Sequence, residues 1–77
     1  MRDEIRFYYQ MALADDPDSV NTQQSIYEDR HDWQHAAAET AYIHAHNRLP
    51  DWAVFIQDFE EHDGSYIFIH RDPGLTN

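Results

Sequence analysis

His31 and His35 stand four residues apart. On a helix that spacing turns both rings to one side, an arrangement that suits a divalent metal. Glu28 and Glu39 lie about one turn to either side and would offer a third ligand. A zinc-peptidase pattern places Glu directly after the first histidine. Here Asp32 follows it, one methylene shorter, and nothing downstream completes such a site. Six histidines in 77 residues also produce a pair at this spacing by chance, on an exposed polar helix face. The expectation is therefore no metal and no cofactor, with His31 and His35 as the residues a metal would use.

The carboxylates are the stronger signal. Fifteen Asp and Glu oppose five Arg and no Lys, a formal net charge of -10 at pH 7. Asp58 and Glu60 alternate on an expected strand, so they share a face at a separation of roughly 6.6–7 Å. Asp51, Glu61, Asp63 and Asp72 gather near the ends of the same hairpin, and Glu28, Asp29 and Asp32 form a second acidic group. Such spacing approaches that of successive phosphates along a nucleic-acid strand, so the surface could occupy a Lys/Arg channel that normally meets phosphate. The plainer reading is a solvated acidic surface that keeps a small protein soluble. Arg in place of Lys also follows from a GC-rich genome or a salt-loving habit, but neither accounts as well for a threefold acid excess.

Several classes are disfavoured. No cysteine is present, so disulfides, thiol nucleophiles and thiolate zinc sites are excluded. Gly64 and Gly74 are the only glycines and form no phosphate loop. Ser19, Ser25 and Ser65 sit in no nucleophile elbow. Paired carboxylates can do acid/base work, but no pocket is marked, so an enzyme is not expected. The acid excess opposes direct nucleic-acid binding and anionic membrane, and favours basic protein surfaces. No apolar run approaches the roughly 18 residues of a membrane span. The charged start Met1-Arg2-Asp3-Glu4 leads into no signal-type stretch. These features suggest a soluble intracellular protein.

The elements that would position these groups are fewer. Eleven aromatics supply the apolar surface that a disordered acidic chain lacks. One domain spans residues 1–77, with an ordered core over about 4–71. Ile5, Phe7, Tyr9, Met11 and Leu13 alternate with other residues, which predicts a strand over 4–13. Ile5, Tyr8, Tyr9 and Ala12 also form a helical set there. Residues 14–19 read as a loop around Pro17, with a helix starting at Ser19 or Asn21. Trp33, Ala36, Ala37, Thr40, Ala41 and His44 make one helical stripe, ending near Asn47 or Leu49 before Pro50. A helix from 20 to 48 would outrun a nine-residue strand, so a break is expected near Asp29–Asp32. Residues 52–60 and 65–70 predict a hairpin closed by Asp63-Gly64.

The expected fold is α+β: strand, helix and hairpin in β-α-β-β order, a three-stranded antiparallel sheet with one main helix on one face. Its other face, carrying some of Phe55, Phe59, Tyr66 and Phe68, would either be covered, with both hairpin faces filled by the N-terminal strand and residues 20–30, or be partly open and aromatic with an acidic rim. A homodimer would add buried area to so small a core.

The expected function is an acidic protein-binding inhibitor that occupies a basic surface of a nucleic-acid-handling complex. Asp58, Glu60, Glu61 and Asp63 would meet partner cations, with Glu28, Asp29 and Asp32 as a second patch. Phe59, Trp52 or Tyr66 would supply the desolvated anchor. In size and charge, though through no particular motif, the chain resembles the anti-CRISPR and anti-restriction inhibitors that phages encode, a resemblance that implies action in the cytoplasm of a bacterial host cell. An antitoxin or immunity protein blocking a basic toxin uses the same charge, and a His-based metal-binding domain is the third alternative. Protonation of all six histidines would take the charge from -10 to -4. Charge-driven binding should then weaken between about pH 7.5 and pH 5.5, as a titration of affinity against pH would show.

Overall fold

The computed structural model describes residues 3–27 and 33–71. Along the chain come α1 (Asp3–Asp15), α2 (Pro17–Ile26), α3 (Trp33–His46), β1 (Ile56–His62) and β2 (Ser65–His70). Three helices and a two-stranded antiparallel sheet replace the expected β-α-β-β arrangement with its three-stranded sheet and one main helix.

The difference begins at the N-terminus, where the expected strand is α1. The helical set Ile5, Tyr8, Tyr9 and Ala12 wins because it can all face one neighbour. Ile5 and Ala12 are buried, and Tyr8 and Tyr9 pack against the same clusters. The alternating set is dispersed around the helix, leaving Phe7 59% exposed. Tyr8 sets its ring edge-on to Tyr42 at 5.0 Å, and its hydroxyl lies 2.7 Å from His46 Nε2. These long-range contacts outweigh the modest strand preference of aromatic residues.

α2 starts at Pro17, earlier than expected. The Asp16 carboxylate accepts from the Ser19 N–H at 3.2 Å, and Pro17 occupies the first turn, where its missing N–H costs nothing. Val20, Gln23 and Tyr27 turn inward. The break expected near Asp29–Asp32 lies outside the described residues.

α3 is central, not one-faced. Every residue from Ala36 to Ile43 is buried. Ala37 and Ala41 meet Ala12 and Val20 of the first two helices. Ala38 packs with Ile5, Tyr42 and Trp52, and Ala36 with Tyr27 and Phe55. Alanine's small side chain lets neighbours approach on several sides at once. The helix ends where Asn47 takes a positive φ of 54° and its N–H bonds to the Ile43 carbonyl at 2.7 Å.

One charged residue lies wholly inside. Glu39 has no exposed surface. Its Oε1 accepts from the N–H groups of Phe55 (3.2 Å) and Ile56 (2.8 Å), and its Oε2 from Val54 (3.1 Å) and Phe55 (3.2 Å). This clamp explains why residues 52–55, expected in a strand, are not. Three consecutive backbone donors turn onto one carboxylate and cannot alternate along a ladder. Trp52 is drawn into the core, and β1 begins only at Ile56.

Beyond the clamp, β1 and β2 pair from His62↔Ser65 to Ile56↔His70, with Gln57 bulged. Asp63 (φ 52°) and Gly64 (φ 80°) form the expected two-residue turn, both with the positive φ a type I′ turn needs.

Replacing Glu39 by Ala would leave the buried N–H groups of Phe55 and Ile56, and the partly buried one of Val54, unmet. We expect Glu39→Ala to destabilise by about 3–5 kcal/mol, a fall in Tm of about 15 °C or more. Glu39→Gln keeps one acceptor oxygen and should fall between the two in thermal unfolding.

Candidate protein-binding surface

The two faces of the hairpin differ because pairing fixes which side chains share a side. Phe59 pairs with Phe68, and Glu61 with Tyr66. On this inner face Phe59, Tyr66 and Phe68 are half-buried. Tyr66 lies 5.6 Å from Phe59 and 6.2 Å from Phe68. His44 at the end of α3 meets the Tyr66 ring edge-on at 4.6 Å, and the Tyr66 hydroxyl donates to Asn47 Oδ1 at 3.1 Å.

The outward face is aliphatic and acidic. Ile69 stands opposite Asp58, and Ile67 opposite Glu60. Ile67 is 52% exposed and Ile69 42%. Asp58 and Glu60 make no ion pair among the described residues; the Asp58 carboxylate accepts only from the neighbouring Phe59 N–H at 2.8 Å. Asp63 sits in the turn beside His62, 3.4 Å away and fully solvated. No helix among the described residues is long and apolar enough to cross a membrane.

The root of this hairpin is fixed to the helices. The Arg71 N–H donates to the Phe55 carbonyl at 2.9 Å, and so does the Tyr27 hydroxyl at 3.0 Å. His70 Nδ1 lies 2.7 Å from that same hydroxyl. Because the Tyr27 proton is spent on Phe55, Nδ1 must carry the donated hydrogen, which leaves Nε2 to titrate. Burial pushes the His70 pKa down, since the charged ring loses hydration. Burial likewise pushes Glu39 up, opposed by its backbone donors and by His35.

The structure places the expected site residues unevenly. Asp58 and Glu60 do share an outward face, while Glu61 lies on the side of the aromatics. Phe59 and Tyr66 are half-buried on the inner face, so the hairpin is covered on one side only, and the side left open is aliphatic and not aromatic. Trp52 is only 6% exposed and belongs to the core. Glu28, Asp29, Asp32 and His31 lie outside the described residues. His35 turns inward: its Nε2 donates to the Trp52 carbonyl at 2.8 Å and stands 3.4 Å from Glu39. Among the described residues no three His, Asp or Glu groups are placed to hold a metal.

Ile67 and Ile69 were not singled out from the sequence. Alternation along Ser65–His70 separates them from Tyr66 and Phe68, but it does not say which side is covered. No family model, curated protein or solved structure matches the chain.

His70 generates a pH prediction. Its folded-state pKa lies below the ordinary value of about 6.5, so the unfolded chain binds the proton more readily. The stability held by neutral His70 is present above that value and lost as pH falls through the lowered one. Calorimetry between about pH 7.5 and pH 5 should show the wild-type Tm falling relative to that of His70→Asn, which no longer titrates there.

Proposed function

We propose that this protein binds a basic surface of a partner protein, one that otherwise handles nucleic acid, and acts by occupying it. The observation that carries the reading is the outward hairpin face, where two exposed isoleucines stand directly across from two carboxylates that make no ion pair among the described residues. An apolar centre flanked by charge is the usual anatomy of a protein interface. The sign of that charge restricts the partner. Two copies meeting through this face would bring carboxylate against carboxylate on chains already at -10, whereas Lys and Arg would be attracted and steered in.

Ile67 and Ile69 replace Trp52 as the apolar anchor, because Trp52 can reach a partner only by leaving the core. Phe59 and Tyr66 border the same hairpin from its inner side. Inhibition of this kind needs no turnover and no cofactor. It works by excluding phosphate from the cations that would bind it. An antitoxin would use the same surface, and the identity of the occupied partner separates the two. A metal-binding reading is less well supported, since His35 already spends Nε2 on the Trp52 carbonyl.

The test is charge reversal with competition. Partners captured on immobilised protein are purified and assayed for nucleic-acid binding with and without the protein. Wild type should displace nucleic acid. Asp58→Arg combined with Glu60→Arg should weaken capture by at least about tenfold, as loss of charge pairs worth about 1.4 kcal/mol or more implies, while circular dichroism and Tm stay near wild type. Unchanged affinity of the folded double variant would refute the outward face as the contact, and partners indifferent to nucleic acid would refute the proposed mode of action.

A further inference from the structure

We infer that the free edge of β2 docks an extended, cationic segment of the partner, which adds a third strand to the hairpin in the cleft between β2 and α2. This deepens the reading above and rests on its basic partner, but the edge is separate from the carboxylates of Asp58 and Glu60.

Pairing decides which main-chain groups of β2 are spent. In a two-residue type I′ hairpin the residues flanking the turn, here His62 and Ser65, form a hydrogen-bonded pair, and bonded and non-bonded pairs alternate from there. Glu61↔Tyr66 and Phe59↔Phe68 are therefore non-bonded pairs. The N–H and C=O groups of Tyr66 and Phe68 point away from β1, and none of them takes a main-chain partner elsewhere among the described residues.

The two edges of the hairpin differ. β1 is bulged at Gln57 and carries Asp58, Glu60 and Glu61, all of which discourage pairing along it. β2 has none of these guards. Ser65–His70 contains no Asp, Glu, Arg or Pro and takes no bulge. It alternates Tyr66 and Phe68 on one side with Ile67 and Ile69 on the other. Strand addition uses an edge of this kind: the main chain supplies affinity, and the alternating side chains supply selectivity.

The surroundings specify the occupant. A cleft of about 390 Å³ runs beside β2 from Gly64 to Phe68, with the start of α2 as its other wall and no β1 residue in its lining. It therefore lies on the edge side of β2. Asp16 and Asp18 stand across it, and no Arg lines it. Asp18 makes no ion pair among the described residues. In an added strand, alternate side chains would lie beside Tyr66 and Phe68 and face these carboxylates, while the others would extend the row of Ile67 and Ile69. The first set calls for Arg or Lys, the second for β-branched aliphatics. A second copy of this chain fits less well, because its β1 would bring Asp58, Glu60 and Glu61 towards the cleft on a chain that also carries -10.

The probe is an acetylated, amidated hexapeptide of alternating Arg and Val, titrated into the isotope-labelled full chain and followed by NMR. Saturable binding is expected, with slowed exchange at the Tyr66 and Phe68 amides and little change at Ile67, whose amide already bonds to β1. Two analogues carry N-methyl groups on every Arg or on every Val. An added strand turns only one of these sets of N–H groups towards β2. One analogue should therefore lose at least about tenfold in affinity, as the loss of two main-chain hydrogen bonds implies, and the other should keep its affinity. A peptide with Glu in place of Arg should not bind. Asp18→Asn should weaken the parent peptide by about two- to fivefold, as expected for an exposed charge pair, whereas Asp58→Asn should leave it nearly unchanged. Equal response to both methylated analogues, no protection at Tyr66 and Phe68, or indifference to Asp18→Asn would overturn the inference. So would self-association in sedimentation that protects the same amides without peptide, since the occupant would then be a second copy. The two proposals fail separately. Methyl-sensitive peptide binding with partner capture unaffected by reversal at Asp58 and Glu60 sinks only the outward face, and capture lost there without such binding sinks only the edge.

Discussion

A single buried carboxylate organises this molecule. Removing Glu39 from water costs several kcal/mol, and its three backbone donors, at about 1.5–3 kcal/mol each for bonds to a charged group, return a sum of similar size. The near balance means that the clamp contributes little net stability while it is intact. What it delivers is position. Three successive N–H groups can converge on one acceptor in few backbone shapes, so residues 54–56 are held against α3. The same balance explains why burial raises the Glu39 pKa even though the site is rich in donors. It also explains why removing the acceptor alone is expensive, since the Phe55 and Ile56 donors would stay behind in the interior.

From that fixed root the rest of the display follows. Ile56 is fully buried beside the clamp, and Phe55 packs on Tyr27 with ring centroids 4.9 Å apart. The chain then leaves the body as β1, bulges at Gln57 and returns as β2 to the Tyr27 hydroxyl. Only the inner face of this arm meets the helices, through His44 and Asn47. A two-stranded ribbon is marginal by itself, so its orientation depends on these few attachments. The outward face, with its isoleucines and carboxylates, is free because no third strand or helix reaches it among the described residues. The bulge and the acidic side chains on β1 also discourage uncontrolled edge pairing.

The hairpin was legible in the sequence because its information is local: Asp63-Gly64 dictates the turn, and the turn dictates which residues pair. The end of α3 was legible for the same reason, through Asn47 and Pro50. The N-terminal helix was not, since Ile5–Leu13 carries both periods, and the choice depends on the tyrosines meeting α3 some thirty residues later. Nor was the Glu39 clamp. A glutamate on an alanine-rich helix reads as solvated, and burying it depends on backbone donors sixteen residues away that no pattern announces. Without the clamp, residues 52–60 read as one continuous strand and Trp52 as a surface anchor. The acidic surface was visible as composition. Its arrangement opposite Ile67 and Ile69 needed the register.

Amide hydrogen exchange at Val54, Phe55 and Ile56 probes the central constraint most directly. Each of these N–H groups donates to the Glu39 carboxylate, and Val54, whose side chain is exposed, reports on that bond with the least contribution from burial. Protection comparable to that of the α3 interior, released only by global unfolding, is the expected result. Exchange as fast as at the exposed Asp51 amide would show that the carboxylate does not hold the chain, and the positioning of the hairpin would then need another cause.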